Sequence, residues 1–395
     1  MSVDLRVKIA GIEFKNPIFV AAGGQTRDAE TILKSGEHGV AAVMTKTIVP
    51  QTANDVLPCF VPVEGGFINC VFGSSLSADD WFAREFPMMK KGEAKIIANL
   101  AGYFPQQTAE IAAKAEKAGA HMIELPTVCC HMKEILEAMF PDLNMEAPEV
   151  LDPKPYAETI KAVKSAVNIP VVAKFSGIFL NNLVEWALAA EEAGIDAIAC
   201  ADAIGPALAI DVKTGEPYLG GPRGVGGLTG KALKPLAMRM VLEASMATKV
   251  PVIGVGGISS GEDVIEYLMA GATAVGVTTS GHFDGYKAYK RIIAEVETFM
   301  QEHGYSSIAE ITGLTHKRLQ ERKENKTHVI TEAKVPEVDE DLCTSCRKCK
   351  APCIYEAISF NGSSCPEFDE KKCFGCGLCV RVCPENALSQ NYFTR

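Results

Sequence analysis

Short apolar runs rich in Val, Ile and Ala recur between about residues 17 and 300, and polar-apolar segments with helical spacing follow them. Eight runs stand out: PIFVAA from Pro17, AAVMT from Ala41, IIANL from Ile96, MIELP from Met122, VVAKF from Val171, AIACAD from Ala197, VIGVGG from Val252 and AVGVTT from Ala274. The segments between them, such as TAEIAAKAEKAGA and LVEWALAAEEAGI, supply the Ala and Glu of helices. Eight strand-helix units predict an α/β fold, a (β/α)8 TIM barrel. An open, doubly wound sheet is the alternative, because the pattern alone does not distinguish a closed sheet from an open one. The opening segment VKIAGIEFKNP predicts a hairpin that plugs the barrel floor. Residues 322–336 are polar and lack core periodicity, so the expected division is a barrel over 1–321, a linker over 322–336 and a small module over 337–395.

Of the 395 residues, 47% are hydrophobic and 22% charged, enough apolar material for a large core and too much for a disordered chain. The formal net charge of −10 argues against a basic surface for nucleic acid or anionic membrane. No apolar stretch reaches the roughly 18 residues of a membrane span. Asp4, Arg6 and Lys8 stand where a signal peptide would be apolar, so a cytoplasmic, reducing location is expected.

Cysteine usage separates the tail from the barrel. Nine of the 14 cysteines fall in the last 59 residues. Cys343, Cys346, Cys349 and Cys353 follow C-x2-C-x2-C-x3-C, and Cys373, Cys376, Cys379 and Cys383 repeat that spacing thirty residues later. Three closely spaced thiolates wrap one corner of a cubane cluster, while the fourth cysteine reaches the other cluster. The expected ligand sets are Cys343, Cys346, Cys349 and Cys383 for one [4Fe-4S] cluster, and Cys373, Cys376, Cys379 and Cys353 for the other. Zinc is the alternative, since paired C-x2-C units also hold zinc. Cys365 stands outside both sets and reads as a loop thiol. With Pro384 after its last motif cysteine, the tail resembles the bacterial-type ferredoxins that carry two 4Fe-4S clusters, although Ile354 stands where that family often has proline.

In a barrel of this kind, chemistry sits at the C-terminal ends of the strands. Gly226 and Gly227 in GVGGLTG, Gly256 and Gly257 in GVGGI, and Thr278 and Thr279 in VTTSG form a candidate phosphate cradle, because glycines let backbone N–H groups approach an anion and hydroxyls add donors. Together with MTK, FIN, VVAKF and the closing HGYSSIAEITG, these runs resemble the FMN barrel of the dihydroorotate dehydrogenases. Fused to a two-cluster tail, the chain is most similar to the pyrimidine-reducing part of dihydropyrimidine dehydrogenase and its bacterial small-subunit relatives. The resemblance implies FMN held by Thr45, Lys46, Lys174, Gly227, Gly256, Gly257 and Thr279, with both lysines near the isoalloxazine ring, where a cation stabilises reduced flavin. Related barrels commonly form dimers, so a homodimer or a hetero-oligomer is expected.

The substrate side departs from that family. Its N-x-[ST]-[CS]-P signature after the fourth strand has an asparagine that binds pyrimidine and a cysteine or serine that moves the proton. Laid on Glu124, Leu125, Pro126, Thr127 and Val128, the signature puts Glu124 at the asparagine, Thr127 at the acid/base position and Cys129 at a further substrate asparagine. Asp202 replaces another asparagine after the sixth strand, and Asn69 is retained. Ionised carboxylates only accept hydrogen bonds, so this reading favours a donor-rich or cationic substrate over orotate or uracil. Threonine is a poor acid; Cys129, Cys130, His131 or a buried Glu124 are the alternative proton donors, and a slip of alignment would bring Cys129 or Cys130 to the catalytic position. His131 is also a candidate substrate contact. Residues 131–153 read as an active-site lid.

These parts predict a flavin and iron-sulfur oxidoreductase acting on a C=C or similar bond of a small molecule. No dinucleotide fingerprint of the GxGxxG kind follows a strand, so electrons are expected to pass through the tail to or from an NAD(P)H-oxidising flavoprotein subunit or a soluble ferredoxin. The alternatives are an electron-transfer subunit whose partner holds the catalytic site, and a barrel that has lost its flavin.

Overall fold

The computed structural model describes residues 3–52, 54–127, 137, 152–179, 181–327, 329–390 and 392. The chain divides into two compact units, Met1–His316 and Lys317–Arg395. None of the helices among the described residues is long and apolar enough to cross a membrane.

In the first unit each apolar run coincides with one strand, β3 and β8 starting one and two residues ahead of theirs: β1 (Ile18–Val20), β2 (Ala42–Met44), β3 (Lys95–Asn99), β4 (Met122–Pro126), β5 (Val171–Phe175), β6 (Ala197–Cys200), β7 (Val252–Val255) and β8 (Ala272–Val277). They pair in parallel in chain order. β8 returns to β1 through Val275↔Ile18, Gly276↔Phe19 and Val277↔Val20, so the sheet closes into a barrel and the open-sheet alternative falls. Strands such as β1, β2, β5 and β6 are buried at every position, because the packed interior covers one face and the ring of helices covers the other.

Helices follow the strands: Ala29–Gly36, a helical stretch over 78–89, Pro105–Ala118, Lys154–Ala166, Leu183–Glu192, Lys234–Ala247, Gly261–Met269 and Lys287–Glu302. Local chemistry sets their ends. The Asp28 carboxylate accepts from the Thr31 N–H at 2.9 Å, and Ser260 Oγ accepts from the Asp263 N–H at 3.2 Å, each satisfying a first-turn donor. At the N-terminus, Val7–Ile9 and Ile12–Phe14 form an antiparallel hairpin. Its Val7, Ile9 and Phe14 are buried in the barrel core, and the Phe14 ring lies 4.7 Å from that of Phe19 on β1.

One element was not anticipated. A four-stranded antiparallel sheet, in the order Ile204–Leu208, Val225–Gly230, Gly66–Asn69, Phe60–Val63, is built from the excursions after β2 and β6. It has its own small core of Val61, Ile68, Cys70, Phe72 and Leu219. Gly66 faces Gly230 across one of its ladders, and a Cβ at Gly66 would collide with the Thr229 carbonyl, so only glycine allows the two strands to meet there.

The helix Leu314–Glu324 runs through the expected start of the linker, and the boundary between units falls inside it. Its LTHKRLQERKE sequence has strong helix formers but no apolar face, so a periodicity criterion passes it over.

In the second unit Glu337–Val338 pairs with Leu388–Ser389, and Ile358–Ser359 pairs with Glu367–Phe368, both antiparallel. Each small ladder joins the first sequence repeat to the second, so the two halves are interleaved around a core that includes Cys349, Ile358, Val380 and Leu388.

Candidate active site

The C-terminal strand ends and the four-stranded sheet line a cavity that opens to solvent. Of the residues expected from sequence, Lys46, Asn69, Lys174, Asp202, Gly256, Gly257, Thr278 and Thr279 line it. Each is delivered by a different part of the barrel rim. Lys46 follows β2, Lys174 stands near the end of β5, Asp202 follows β6, the glycines follow β7, and the threonines follow β8. Asn69 comes from the extra sheet, where its Nδ2 donates to the Gly227 carbonyl at 3.1 Å.

Other expected residues take different places. Thr45 is fully buried away from the cavity, where its hydroxyl accepts from the Asn99 N–H at 3.1 Å and so ties β2 to β3. Gly226 and Gly227 pair within the extra sheet, and the cavity is reached by Thr229 and Gly230 of the same run. Thr127 joins β4 to β5: its N–H donates to the Lys174 carbonyl at 2.9 Å, and its hydroxyl accepts from the Ser176 N–H at 3.1 Å. Cys129, Cys130 and His131, and the expected lid except for residues 137, 152 and 153, lie outside the described residues.

Glu124 does not line the cavity. In the ladder it stands opposite Val172, whereas Pro126 stands opposite Lys174. Side chains alternate along a strand, so Glu124 and Pro126 share the inward face with Val172 and Lys174, and Glu124 lies one layer deeper. It is fully buried and accepts a hydrogen bond from Asn99 Nδ2. Above it, Lys174 is only 4% exposed, and its Nζ lies 3.2 Å from Asp202 Oδ2. Burial pushes the Glu124 carboxyl above the usual carboxylate range; Lys174 and Asn99 oppose that shift, and Asp202 adds to it.

Sequence reasoning missed Gly23, Gly24, Thr47, Phe60, Phe67 and His282, all of which line the cavity. The two glycines directly follow PIFVAA, so the strand-end rule could have found them. Phe60 and Phe67 flank a hairpin whose signal is the Glu64-Gly65 turn between two apolar runs. The His282 ring packs 5.2 Å from that of Phe60 and 5.3 Å from that of Phe67. Burial, and then Lys46, hold His282 below the ordinary histidine range.

The donor set fits a flat, phosphate-bearing cofactor. Gly23 and Gly24 after β1, Gly256 and Gly257 after β7, and Gly276 within β8 present bare backbone, and Lys46 and Lys174 add cationic side chains. Gly256 and Gly257 have φ of 126° and 70°, a backbone conformation that lets successive peptide groups turn towards an anion without a side chain in the way.

The second unit has two further cavities. One is lined by Cys343, Cys346, Cys349 and Cys383, the other by Cys353, Cys373, Cys376 and Cys379. In each, three cysteines of one motif meet the last cysteine of the other, as the spacing predicts. Among the described residues no three His, Cys, Asp or Glu side chains converge as a single metal ion requires. Four thiols around one space match the ligand number of a [4Fe-4S] cluster. Cys365 belongs to neither foursome and is buried.

Comparison with known proteins agrees with both halves. A dihydroorotate dehydrogenase family model matches residues 4–300, and a 4Fe-4S dicluster domain model matches 334–389. Dihydroorotate dehydrogenase B (NAD(+)), catalytic subunit, of Methanothermobacter thermautotrophicus is 34% identical over 316 residues, 79% of this chain and 98% of that protein. Its namesake from Anoxybacillus flavithermus is 35% identical over 312 residues, 78% of this chain and 95% of that one. That of Methanocaldococcus jannaschii is 33% identical over 318 residues, 79% of this chain and 98% of that one. The match nearly exhausts these relatives and leaves about a fifth of the present chain outside it. The chain belongs to the dihydroorotate dehydrogenase family, as an oxidoreductase that carries a 4Fe-4S dicluster domain on the same polypeptide.

Proposed function

We propose that this chain is an FMN- and iron-sulfur-dependent oxidoreductase that reduces, or in reverse oxidises, a C=C or similar bond of a small molecule at the barrel mouth. Electrons reach or leave that site through two [4Fe-4S] clusters held by the two cysteine foursomes. The observation that carries this reading is the cavity itself, where two lysines, an asparagine, a carboxylate and glycines from the ends of β1, β7 and β8 meet.

Lys46, Lys174, Gly256, Gly257, Thr278 and Thr279 would hold FMN, with the phosphate on the glycine and threonine loops. When bound, FMN supplies hydride chemistry. Lys174 keeps a cation at the cavity floor, and Asp202 holds that ammonium in place from the rim. Phe60 and Phe67 add apolar surface to the cavity wall. Asn69 offers a substrate both donors and acceptors, and Asp202 offers acceptors alone.

Glu124 lies too deep to replace the family's substrate asparagine. With the signature moved so that its asparagine falls on Pro126, level with Lys174, its cysteine falls on Cys129. Cys129 is therefore the proposed proton-moving residue, since a thiol with a reference pKa near 8.5 exchanges protons far more readily than a threonine hydroxyl. One carboxylate, Asp202, then faces the substrate instead of two. This favours a neutral or cationic molecule with N–H donors and disfavours orotate, whose carboxylate would approach Asp202.

The electron partner is proposed to be a pyridine-nucleotide-oxidising flavoprotein or a soluble ferredoxin. The relatives' names, which specify NAD(+) and a catalytic subunit, favour the first.

The test is a substrate screen with anaerobically reduced full-length protein, reading reoxidation of the flavin band. Neutral or cationic enoyl, imine and heterocyclic compounds are expected to reoxidise it. Rapid reoxidation by orotate would overturn the substrate reading, and rapid reoxidation by uracil or thymine would point to dihydropyrimidine dehydrogenase chemistry. A protein that binds flavin but is reoxidised by no organic compound would make it an electron-transfer subunit.

A further inference from the structure

Beneath the cavity floor lies a group that the proposed chemistry does not use. Glu124 is fully buried inside the barrel, and among the described residues one of its carboxyl oxygens is bonded, by Asn99 Nδ2. Glu124 Oε1 and Asn99 Oδ1 have no hydrogen-bond partner among the described residues. An orphaned carboxylate oxygen at such depth costs several kcal/mol, and protonation is the usual escape. Charged and titratable groups lie near Glu124 on three neighbouring elements: Lys174 on β5, Asp202 in the loop after β6, and Tyr156 on the helix Lys154–Ala166, whose hydroxyl donates to the Leu125 carbonyl of the barrel wall. From β3 the neutral Asn99 donates to it. Lys174 and Asp202 already pair with each other at 3.2 Å, so Lys174 is not free to neutralise Glu124 alone.

We propose that Glu124 is the barrel's redox-linked proton carrier: its carboxyl takes up one proton as negative charge builds in the cavity above, and releases it as that charge leaves. The proposal rests on the flavin reading above. Two electrons from the external donor and one proton leave one net negative charge in the cavity. The linked proton comes from solvent and forms the O–H bond of Glu124, so the full step takes up two electrons and two protons. The Lys174–Asp202 pair, which lines the cavity above Glu124, lies along the path by which the change in field reaches it. Glu124 is thus a positioning residue for charge rather than a catalytic residue.

The experiment is the pH dependence of the flavin midpoint potential in the full-length, FMN-loaded protein and in Glu124→Gln, which mimics the protonated side chain. Wild type is expected to show a pH interval with a slope of two protons per two electrons, flanked by slopes of one. Glu124→Gln should keep the one-proton slope throughout. An unchanged two-proton segment in Glu124→Gln, or its loss in Asp202→Asn alone, would overturn the proposal. A measurement on wild type needs no variant: reduction should add a protonated-carboxyl band to the infrared difference spectrum, and absence of that band also overturns it.

Flavin-free protein separates this inference from the functional reading. Burial raises the folded-state value of Glu124, so its proton stabilises the fold in acid and that contribution is lost as pH rises through the raised value. The melting temperature of Glu124→Gln relative to wild type should therefore climb with pH. A chain that takes up no flavin but shows this climb defeats the functional reading alone; a flavoprotein with identical slopes in both forms defeats the proton carrier alone.

Discussion

The cluster cavities and the barrel mouth differ in how far apart in sequence their parts lie. Each foursome draws on cysteines within about forty residues, and three of every four are spaced with two residues between neighbours. The mouth draws on residues from Ala21 to His282 and depends on strand register, loop excursions and a sheet made from two distant segments. A site held by short-range spacing is written in the sequence itself. A site held by tertiary register is written only once the pleat of each strand is known.

The largest effect expected tests the crossed pairing. Cys383→Ser should remove about half of the iron, and the surviving EPR signal should belong to the second motif. Iron and sulfide assays with EPR check this; a surviving signal from the first motif would break the pairing.

Lys174→Met comes next, because it removes the floor cation and leaves Asp202 without its partner. Turnover with an artificial electron donor should fall about 100-fold. Steady-state kinetics and bound-flavin content separate lost chemistry from lost cofactor, and turnover within threefold of wild type would remove Lys174 from the site.

Asp202→Asn sharpens the substrate side. It should shift the kcat/KM ratio between an anionic and a neutral donor-bearing substrate by about tenfold towards the anion. Competition between the two substrates measures the ratio, and an unchanged ratio would place Asp202 outside the substrate's reach.

The smallest effects belong to the residues the structure moves out of the cavity. Thr45→Val and Thr127→Val should each cost about 1 kcal/mol through lost hydrogen bonds, with flavin content and turnover unchanged. Thermal melts and absorbance spectra check both. A selective loss of flavin in Thr45→Val would return that hydroxyl to the cofactor.

The barrel was legible because eight apolar runs alternating with helical segments leave few alternative architectures, and the gathering of the cysteines because one motif spacing occurs twice. Glu124 was misplaced for a local reason: β4 continues through Pro126, so the strand end lies two residues beyond the position taken for the substrate contact. Gly226 and Gly227 were read as cradle residues because glycine runs look alike, whether they approach an anion or another strand. Here the close neighbour is Asn69 of the adjoining strand. The extra sheet escaped notice because Phe60–Asn69 and Ile204–Gly230 acquire a shared core only after the barrel has brought them together.

The interleaving of the two cysteine repeats imposes an order on biosynthesis. The foursome that begins first, at Cys343, is complete only when Cys383 has been translated, after its neighbour has closed at Cys379. Iron delivered to a nascent chain would find the first motif one thiolate short until almost the whole module had left the ribosome.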